Sequence, residues 1–304
     1  MAVLTSRGAD GPDAPQRPGI RRRDPYDAPT RRRAVERPNY VSGVLTSVWL
    51  LIVAVPIVLM IFWSLERRSD YQKGPFSLPN SITVDNVREV WRFGFSTYMG
   101  NTAIVTAGSV ALMLVLALPA AYGIVRSTSW FAGAAFRGFL IGLAIPAQAT
   151  IIPVYWMMDQ LGLFETLTAI ILPTVAFQLP LVVLILSGAL RDVSRELYEA
   201  MTVDGAGAFR IFWRLVLPMS RGSISTVCIF TGINAWNGFL FPLILTSEQG
   251  SRVVTLGLWN FQGQFAINIP GLMMAVLIST LPVFLLYLVA RRWLVAGLAG
   301  VGGK

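Results

Sequence analysis

The side chains able to do chemistry in this chain are few and unevenly spread. Its 304 residues include 16 Asp and Glu, 25 Lys and Arg, one Cys and no His. Without histidine there is no imidazole to act as general base, to activate a serine or cysteine, or to ligate zinc or haem. No segment matches G-x-x-x-x-G-K-[ST], and the terminal Gly300–Lys304 stretch lacks both the spacing and a following helix. The chain therefore has no loop to cradle nucleotide phosphates, and ATP, if it is used, must be bound by another polypeptide. Cys228 has no second thiol to pair with. What remains is one charged, glycine-containing stretch, Arg191–Arg221, and a scatter of amides in apolar surroundings: Asn101, Gln148, Gln178, Asn234 and Asn237.

The elements that must position these groups are membrane helices. Hydrophobic residues make up 54% of the chain and charged residues 13%, against about a quarter charged in a soluble domain. Six runs contain no Asp, Glu, Lys or Arg: Val44–Leu65, Tyr98–Val125, Gly138–Met158, Thr166–Leu190, Gly222–Ser247 and Pro270–Ala290. Each is about the 20 residues a helix needs to cross a bilayer. One charge at the centre of such a helix costs about 3 kcal/mol on insertion scales. The expected fold is an all-α membrane protein of six transmembrane helices, with a core domain at about 95–292.

Nine Arg lie in the first 42 residues. With that tail in the cytoplasm, 19 Lys and Arg fall on inside segments and six on outside ones, so the positive-inside rule places both termini in the cytoplasm. This bias accounts for the net charge of +9 without nucleic-acid binding. The tail's Arg, Pro, Asp and Gly cannot bury enough apolar surface to fold, and 1–42 reads as disordered, free to touch anionic lipid. The first apolar run starts too late and is too long for a cleaved signal peptide.

By this topology Arg191–Arg221 faces the cytoplasm. Val193, Leu197, Ala200 and Met201 fall at helical spacing on one face, with Arg195, Glu196 and Glu199 off it. Asp204-Gly205-Ala206-Gly207 breaks the helix. Phe209, Phe212, Trp213 and Val216 repeat helically before Pro218. Two short amphipathic helices in water are marginal alone, so their apolar faces must rest on something. The amides inside the spans either bond between helices or line a polar cavity. Trp63, Tyr98, Trp156 and Trp293 read as interfacial anchors. Pro56, Pro119, Pro146, Pro153, Pro173, Pro180, Pro242 and Pro282 read as kinks. No span holds an Asp or Glu, which removes the usual mark of a proton- or sodium-coupled carrier.

The stretch Glu199–Pro218 resembles the Glu-Ala-Ala loop of the membrane subunits of ABC importers, the binding-protein-dependent permeases. Glu199, Ala200, Gly205, Leu217 and Pro218 fit in register; Met201 replaces the second Ala, Leu215 an Ile, and Gly222 a frequent Pro. The variant with Asp204, Gly205 and Ala206 is most similar to the carbohydrate branch. So are "NTAIVTAGSVALMLVLALPAAYGIVR" at Asn101, "IPVYWMMDQLGLFETLTAIILP" at Ile152, "AWNGFLFPLIL" at Ala235 and the terminal "GLAGVGGK". The resemblance covers about residues 95–304.

This resemblance implies a type I importer transmembrane domain and a non-enzymatic transport subunit with no cofactor of its own. ATP and magnesium would be bound by two ATPase subunits. A second, distinct permease and an extracytoplasmic sugar-binding protein would complete the assembly. Glu199, Ala200, Met201, Asp204, Gly205, Ala206, Leu217 and Pro218 would form the coupling helix and turn that seat in the ATPase. In that seat Glu199 would meet an Arg of the ATPase, and Gly205 would permit close approach. Asn101, Gln178, Asn234 and Asn237 are the candidates for the translocation pathway. An importer of a non-sugar solute is the alternative within the class, and an intramembrane enzyme the alternative outside it. Activity of the chain without partners would favour the second.

Overall fold

The computed structural model describes residues 40–74, 82–261 and 268–299, without the side chains of Asn260 and 289–299. Most of the basic tail and the end of the "GLAGVGGK" match lie outside these residues. Helix begins at Tyr40, inside the segment expected to be disordered. In chain order the helices are α1 (Tyr40–Ser64), α2 (Arg68–Tyr71), α3 (Asp85–Arg92), α4 (Phe95–Arg126), α5 (Trp130–Gly142), α6 (Ile151–Gln160) and α7 (Leu167–Arg191). They continue as α8 (Arg195–Val203), α9 (Ala208–Ile211), α10 (Leu217–Met219), α11 (Arg221–Trp236), α12 (Leu240–Leu245), α13 (Val254–Gly257) and α14 (Ile269–Ala299). A π turn, Phe212–Val216, joins α9 to α10.

Four helices are long and apolar enough to cross a membrane unbroken: α1, α4, α7 and α14. Two bent helix pairs pass the same length and composition test, which makes up to six spans if each pair is one span. The run expected at Gly138–Met158 is α5 followed by a second helical piece from Ala147, turned by 92°. The reason is Pro146, which has no N–H to continue the helix and sits extended (ψ 128°) at the break. The run expected at Gly222–Ser247 is interrupted after Trp236. At its opposite, first end α11 meets Ala208–Met219 at 76°, and after Trp236 the residues Asn237, Gly238 and Phe239 separate it from α12. Pro153 and Pro242 fall in the first turns of their helices, where the missing N–H breaks no bond, so these two do not kink helix interiors.

The chain divides into compact units Met1–Leu51 and Ile52–Lys304, with the boundary inside α1. Along α1 only Ser64 is buried. Within the second unit, α4 and α7 form the most extensive helix pair, followed by α4 with α11 and α11 with α14. Helix α4 buries a stripe, Thr102, Val105, Ser109, Met113, Ala117 and Ala121, at the three- and four-residue steps of one helix face. Its 32 residues give a length of about 48 Å at 1.5 Å per residue, well beyond a hydrocarbon core of about 30 Å.

At its first end α4 meets a core of Val90, Phe95, Tyr98, Val254, Phe261, Met274 and Ala275. Tyr98, expected at a lipid interface, is 1% exposed within this cluster. Its ring lies where a side chain on Gly257 would stand. Trp156, by contrast, is exposed as an anchor would be. Trp63 packs edge-on against Tyr71, centroids 5.9 Å apart, and the Trp293 side chain lies outside the described residues. At the other end of α4, Met113, Ala117, Leu118 and Ala121 join Val175, Val182, Val183, Leu186 and Leu190 of α7. The same cluster continues without interruption into Tyr198, Ala206, Ile211 and Val216 of the loop, and Val227 of α11.

Candidate functional site

The loop between α7 and α11 is built from a short helix, a tight turn and a second helix, as the spacing predicts. Helix α8 stops because Gly205 turns left-handed, φ +76°, a conformation glycine adopts without steric cost. The Ala206 N–H donates to the Met201 carbonyl at 2.9 Å and the Gly205 N–H to that of Thr202 at 3.0 Å. These two bonds define a Schellman C-cap, which satisfies the orphan carbonyls of the helix end. Ala206 and Met201 also share the apolar cluster, the contact that accompanies this cap. Open space lies where a Cβ on Gly205 would stand. Within the chain the glycine is required by backbone conformation, in keeping with its reading as a breaker able to take positive φ, and nothing in the chain approaches it closely.

The buried faces match the expected ones in part: Val193, Met201, Phe212 and Val216 are buried or half-buried in the apolar cluster. On α8 it is Tyr198, 3% exposed, and half-buried Met201 that face the bundle, while Leu197 and Ala200 are exposed. Val193 lies ahead of the N-cap Ser194, so helical spacing counted from it misplaces Leu197 and Ala200. On the second limb, Ile211 and Val216 are buried five residues apart. The π turn between them adds a residue to the repeat and leaves Phe209 (77%) and Trp213 (54%) exposed. Half-buried Leu217 and Pro218 start α10. Glu199 is exposed on α8, its carboxylate 3.4 Å from Arg195 in an i,i+4 pair, and Asp204 is the exposed C-cap.

Two residues of α4 grip this loop, and the sequence reading missed both as site residues. The Arg126 guanidinium stands 4.4 Å from the centre of the Tyr198 ring. Tyr122 donates from its hydroxyl to the Ala208 carbonyl at 3.2 Å, and its ring lies 5.4 Å from that of Phe212. The Tyr198 hydroxyl is buried without a hydrogen-bond partner among the described residues. Burial pushes its pKa up, against the opposing pull of the Arg126 charge. The signal available in sequence was the i,i+4 spacing of Tyr122 and Arg126 at the end of an apolar run.

The amides end up in different places. Asn101 donates to the carbonyls of Gly250 at 2.7 Å and Arg252 at 2.8 Å, so its N–H groups hold a loop. Asn234 and Asn237 donate back to Phe230 and Ile233 of their own helix, leaving both exposed on the same side of the chain end of α11. The Gln178 carbonyl oxygen is buried in α7 without a hydrogen-bond partner among the described residues. A cavity of about 640 Å³ between α4, α11 and α14 is lined by Ala107, Val110, Ile229, Ile233, Trp236 and Leu286, among others, and none of the four amides reaches it. Its walls are apolar and offer a polyhydroxylated solute almost nothing to bond.

Far from the loop, at the start of α7, Glu165 has φ +63°. Its carboxylate accepts from the Ser247 N–H at 2.7 Å, the Glu248 N–H at 3.2 Å and the Ser251 hydroxyl at 2.8 Å. Burial alone would raise its pKa, but these hydrogen bonds outweigh burial and hold it below the ordinary carboxylate value.

Residues 113–300 match the family of binding-protein-dependent transport system inner membrane components. The ABC transporter permease protein ORF2 of Caldicellulosiruptor sp. is 33% identical over 84% of this chain and 93% of its own length. The diacetylchitobiose uptake system permease protein NgcG of Streptomyces coelicolor is 30% identical over 83% of this chain and 84% of its own. Among solved structures, a bacterial ABC transporter involved in import of the acidic polysaccharide alginate shares the fold, with a TM-score of 0.74. It is 20% identical and covers 83% of this chain and 95% of its own.

Proposed function

The chain belongs to the binding-protein-dependent transport system inner membrane component family, and on that premise we propose that it is a membrane subunit of an ATP-driven carbohydrate importer. Its assembly comprises a second, distinct permease, two ATPase subunits that bind ATP and magnesium, and an extracytoplasmic sugar-binding protein. Both termini lie in the cytoplasm, and the Arg191–Arg221 loop projects there. Sugar permeases such as NgcG among its relatives support the substrate class.

The observation that carries the mechanism is the unbroken apolar cluster from α4 and α7 into the loop. A lever must be stiff where it joins the bundle and exposed where it is pushed. Tyr198, Ala206, Ile211 and Val216 supply the first property; Glu199, Ala200 and Asp204, all exposed, supply the second. In this reading ATP closes the ATPase dimer, and the dimer moves α8 through Glu199 and its neighbours. Met201 and Ala206 close the cap that keeps α8 at a fixed angle. Leu217 and Pro218 carry the displacement into α11. Gln178, Asn234 and Asn237 are the groups through which a hydroxylated solute could meet the pathway.

The experiment is reconstitution with the cognate ATPase, permease and binding protein in proteoliposomes. ATP-dependent uptake of an oligosaccharide is expected, with Glu199→Ala abolishing uptake while the subunit still reaches the membrane. Uptake by this chain alone, or uptake unchanged in Glu199→Ala, would refute the coupling role. On a Cys228→Ser background, a cysteine at Gln249 should label from outside and one at Ser194 only after the membrane is opened.

A further inference from the structure

The last turn and a half of α4 is where both limbs of the loop are touched. Arg126 covers Tyr198 of α8; Tyr122, one turn earlier, holds the first residue of α9 through its carbonyl and the π turn through Phe212. The two contacts differ in kind. One is a cation over an aromatic face, the other a hydrogen bond with ring packing. They sit on opposite sides of the Gly205 turn, so neither limb can pivot without straining its own contact.

We propose that Arg126 and Tyr122 are positioning residues that fasten the two limbs of the loop to α4, so that displacement of α8 is delivered to α4 directly rather than only through the connection into α11. This rests on the coupling reading above and specifies its route. Three features support it. Tyr198 is the most buried residue of α8. Its hydroxyl has no hydrogen-bond partner among the described residues, so it is the ring that the site uses. Arg126 has no carboxylate within ion-pair distance among the described residues, so its charge is directed at that ring. Helix α4 in turn packs on α7, α11 and α5, so motion of α4 reaches most of the bundle.

The test uses the assembled importer with its ATPase subunits, compared by hydrogen exchange with and without MgATP and vanadate. In the wild type, the amides of α8 and those of Gly123–Ser127 should change protection together. In Arg126→Gln or Tyr198→Leu, α8 should still respond, while the change at Gly123–Ser127 shrinks about fivefold, the scale of one partly exposed cation–π contact. Tyr198→Phe, which keeps the ring, and Arg126→Lys, which keeps the cation, should restore most of it. The double variant Arg126→Gln with Tyr198→Leu should be no worse than either single one. Full transmission in Arg126→Gln, additive losses in the double variant, or failure of Tyr198→Phe to transmit would each overturn the proposal. A wild-type complex in which MgATP leaves α8 unchanged would instead overturn the coupling reading, and the route with it.

Discussion

Two connections, one at each end of α7, turn through left-handed backbone, and they are held in opposite ways. At Gly205 (φ +76°) the turn has no side chain. It is closed by backbone bonds and seated by Ala206, Tyr198 and Ile211 in the apolar cluster. At Glu165 (φ +63°) the side chain is the point of the turn. Its carboxylate gathers two amides and a hydroxyl of the 247–251 segment, and its own N–H donates to the Leu245 carbonyl at 3.0 Å. Left-handed backbone costs a non-glycine residue about 1–2 kcal/mol, and charge-assisted hydrogen bonds are strong enough to offset that. One end is thus secured by buried side-chain area, which no proton can alter. The other is secured by an anion, which a proton can release.

The largest effect should come from the first kind of contact. Ile211 is buried in the cluster that runs from bundle to loop. Truncating it to Ala should cost about 2–5 kcal/mol through lost burial and the cavity left behind. A loss below 1 kcal/mol, read from thermal unfolding in detergent, would mean that the loop is not part of the core.

Next is the anionic turn. Glu165→Gln should cost about 1–2 kcal/mol at pH 7, because the neutral amide accepts less strongly from the same donors. The pH dependence has a definite sign. A carboxyl held below the ordinary value of a free glutamate contributes its full stabilisation above that value and loses it as pH falls through the lower folded pKa. Between pH 5 and pH 3 the wild type should therefore lose more stability than Glu165→Gln. Equal slopes would show that the carboxylate is not holding the turn.

Gly205→Ala should cost about 1–2 kcal/mol from backbone strain alone, since nothing stands within 4 Å of the added methyl. If Gly205→Ala proved as harmless as a surface change, the Schellman cap would not be setting the angle of α8.

How much of this was legible beforehand follows the physics of each feature. The six apolar runs and the breaker at Asp204–Gly207 were readable because membrane insertion and glycine conformation are local properties of sequence. The 92° bend at Pro146 was readable only as a proline, since nothing local says whether a proline kinks a helix or ends it. The faces of the loop were half legible: Val193, Met201, Phe212 and Val216 are buried or half-buried as expected. Leu197, Ala200, Phe209 and Trp213 are exposed instead, because Val193 precedes its helix and the π turn lengthens the repeat between Ile211 and Val216. Tyr98, Asn101 and Glu165 were not legible in their roles. Tyr98 meets Gly257, Asn101 meets Gly250 and Arg252, and Glu165 meets Ser247 to Ser251. Those partners are too distant in sequence for any periodicity to report.

The smallest stability effect is expected at the residue given the largest functional role. Glu199 projects from α8 with its side chain 67% exposed, and its neighbour Arg195 is 86% exposed at 3.4 Å. An exposed i,i+4 pair is worth only about 0.3–0.5 kcal/mol, because water screens it and two flexible side chains must be ordered to form it. Glu199→Gln should therefore leave the unfolding temperature of the isolated subunit almost unchanged, and moderate salt should erase even that difference. In the assembled importer the same carboxylate would be partly desolvated against a cation of the ATPase, where a half-made charge-assisted bond is costly. The variant should then bind the ATPase more weakly in co-purification across a salt series, with no change in the subunit's own stability. If Glu199→Gln destabilised the isolated chain by more than 1 kcal/mol, its role would be internal to the fold. The contrast between a buried, stiff root and an exposed, charged tip of the lever would then be lost.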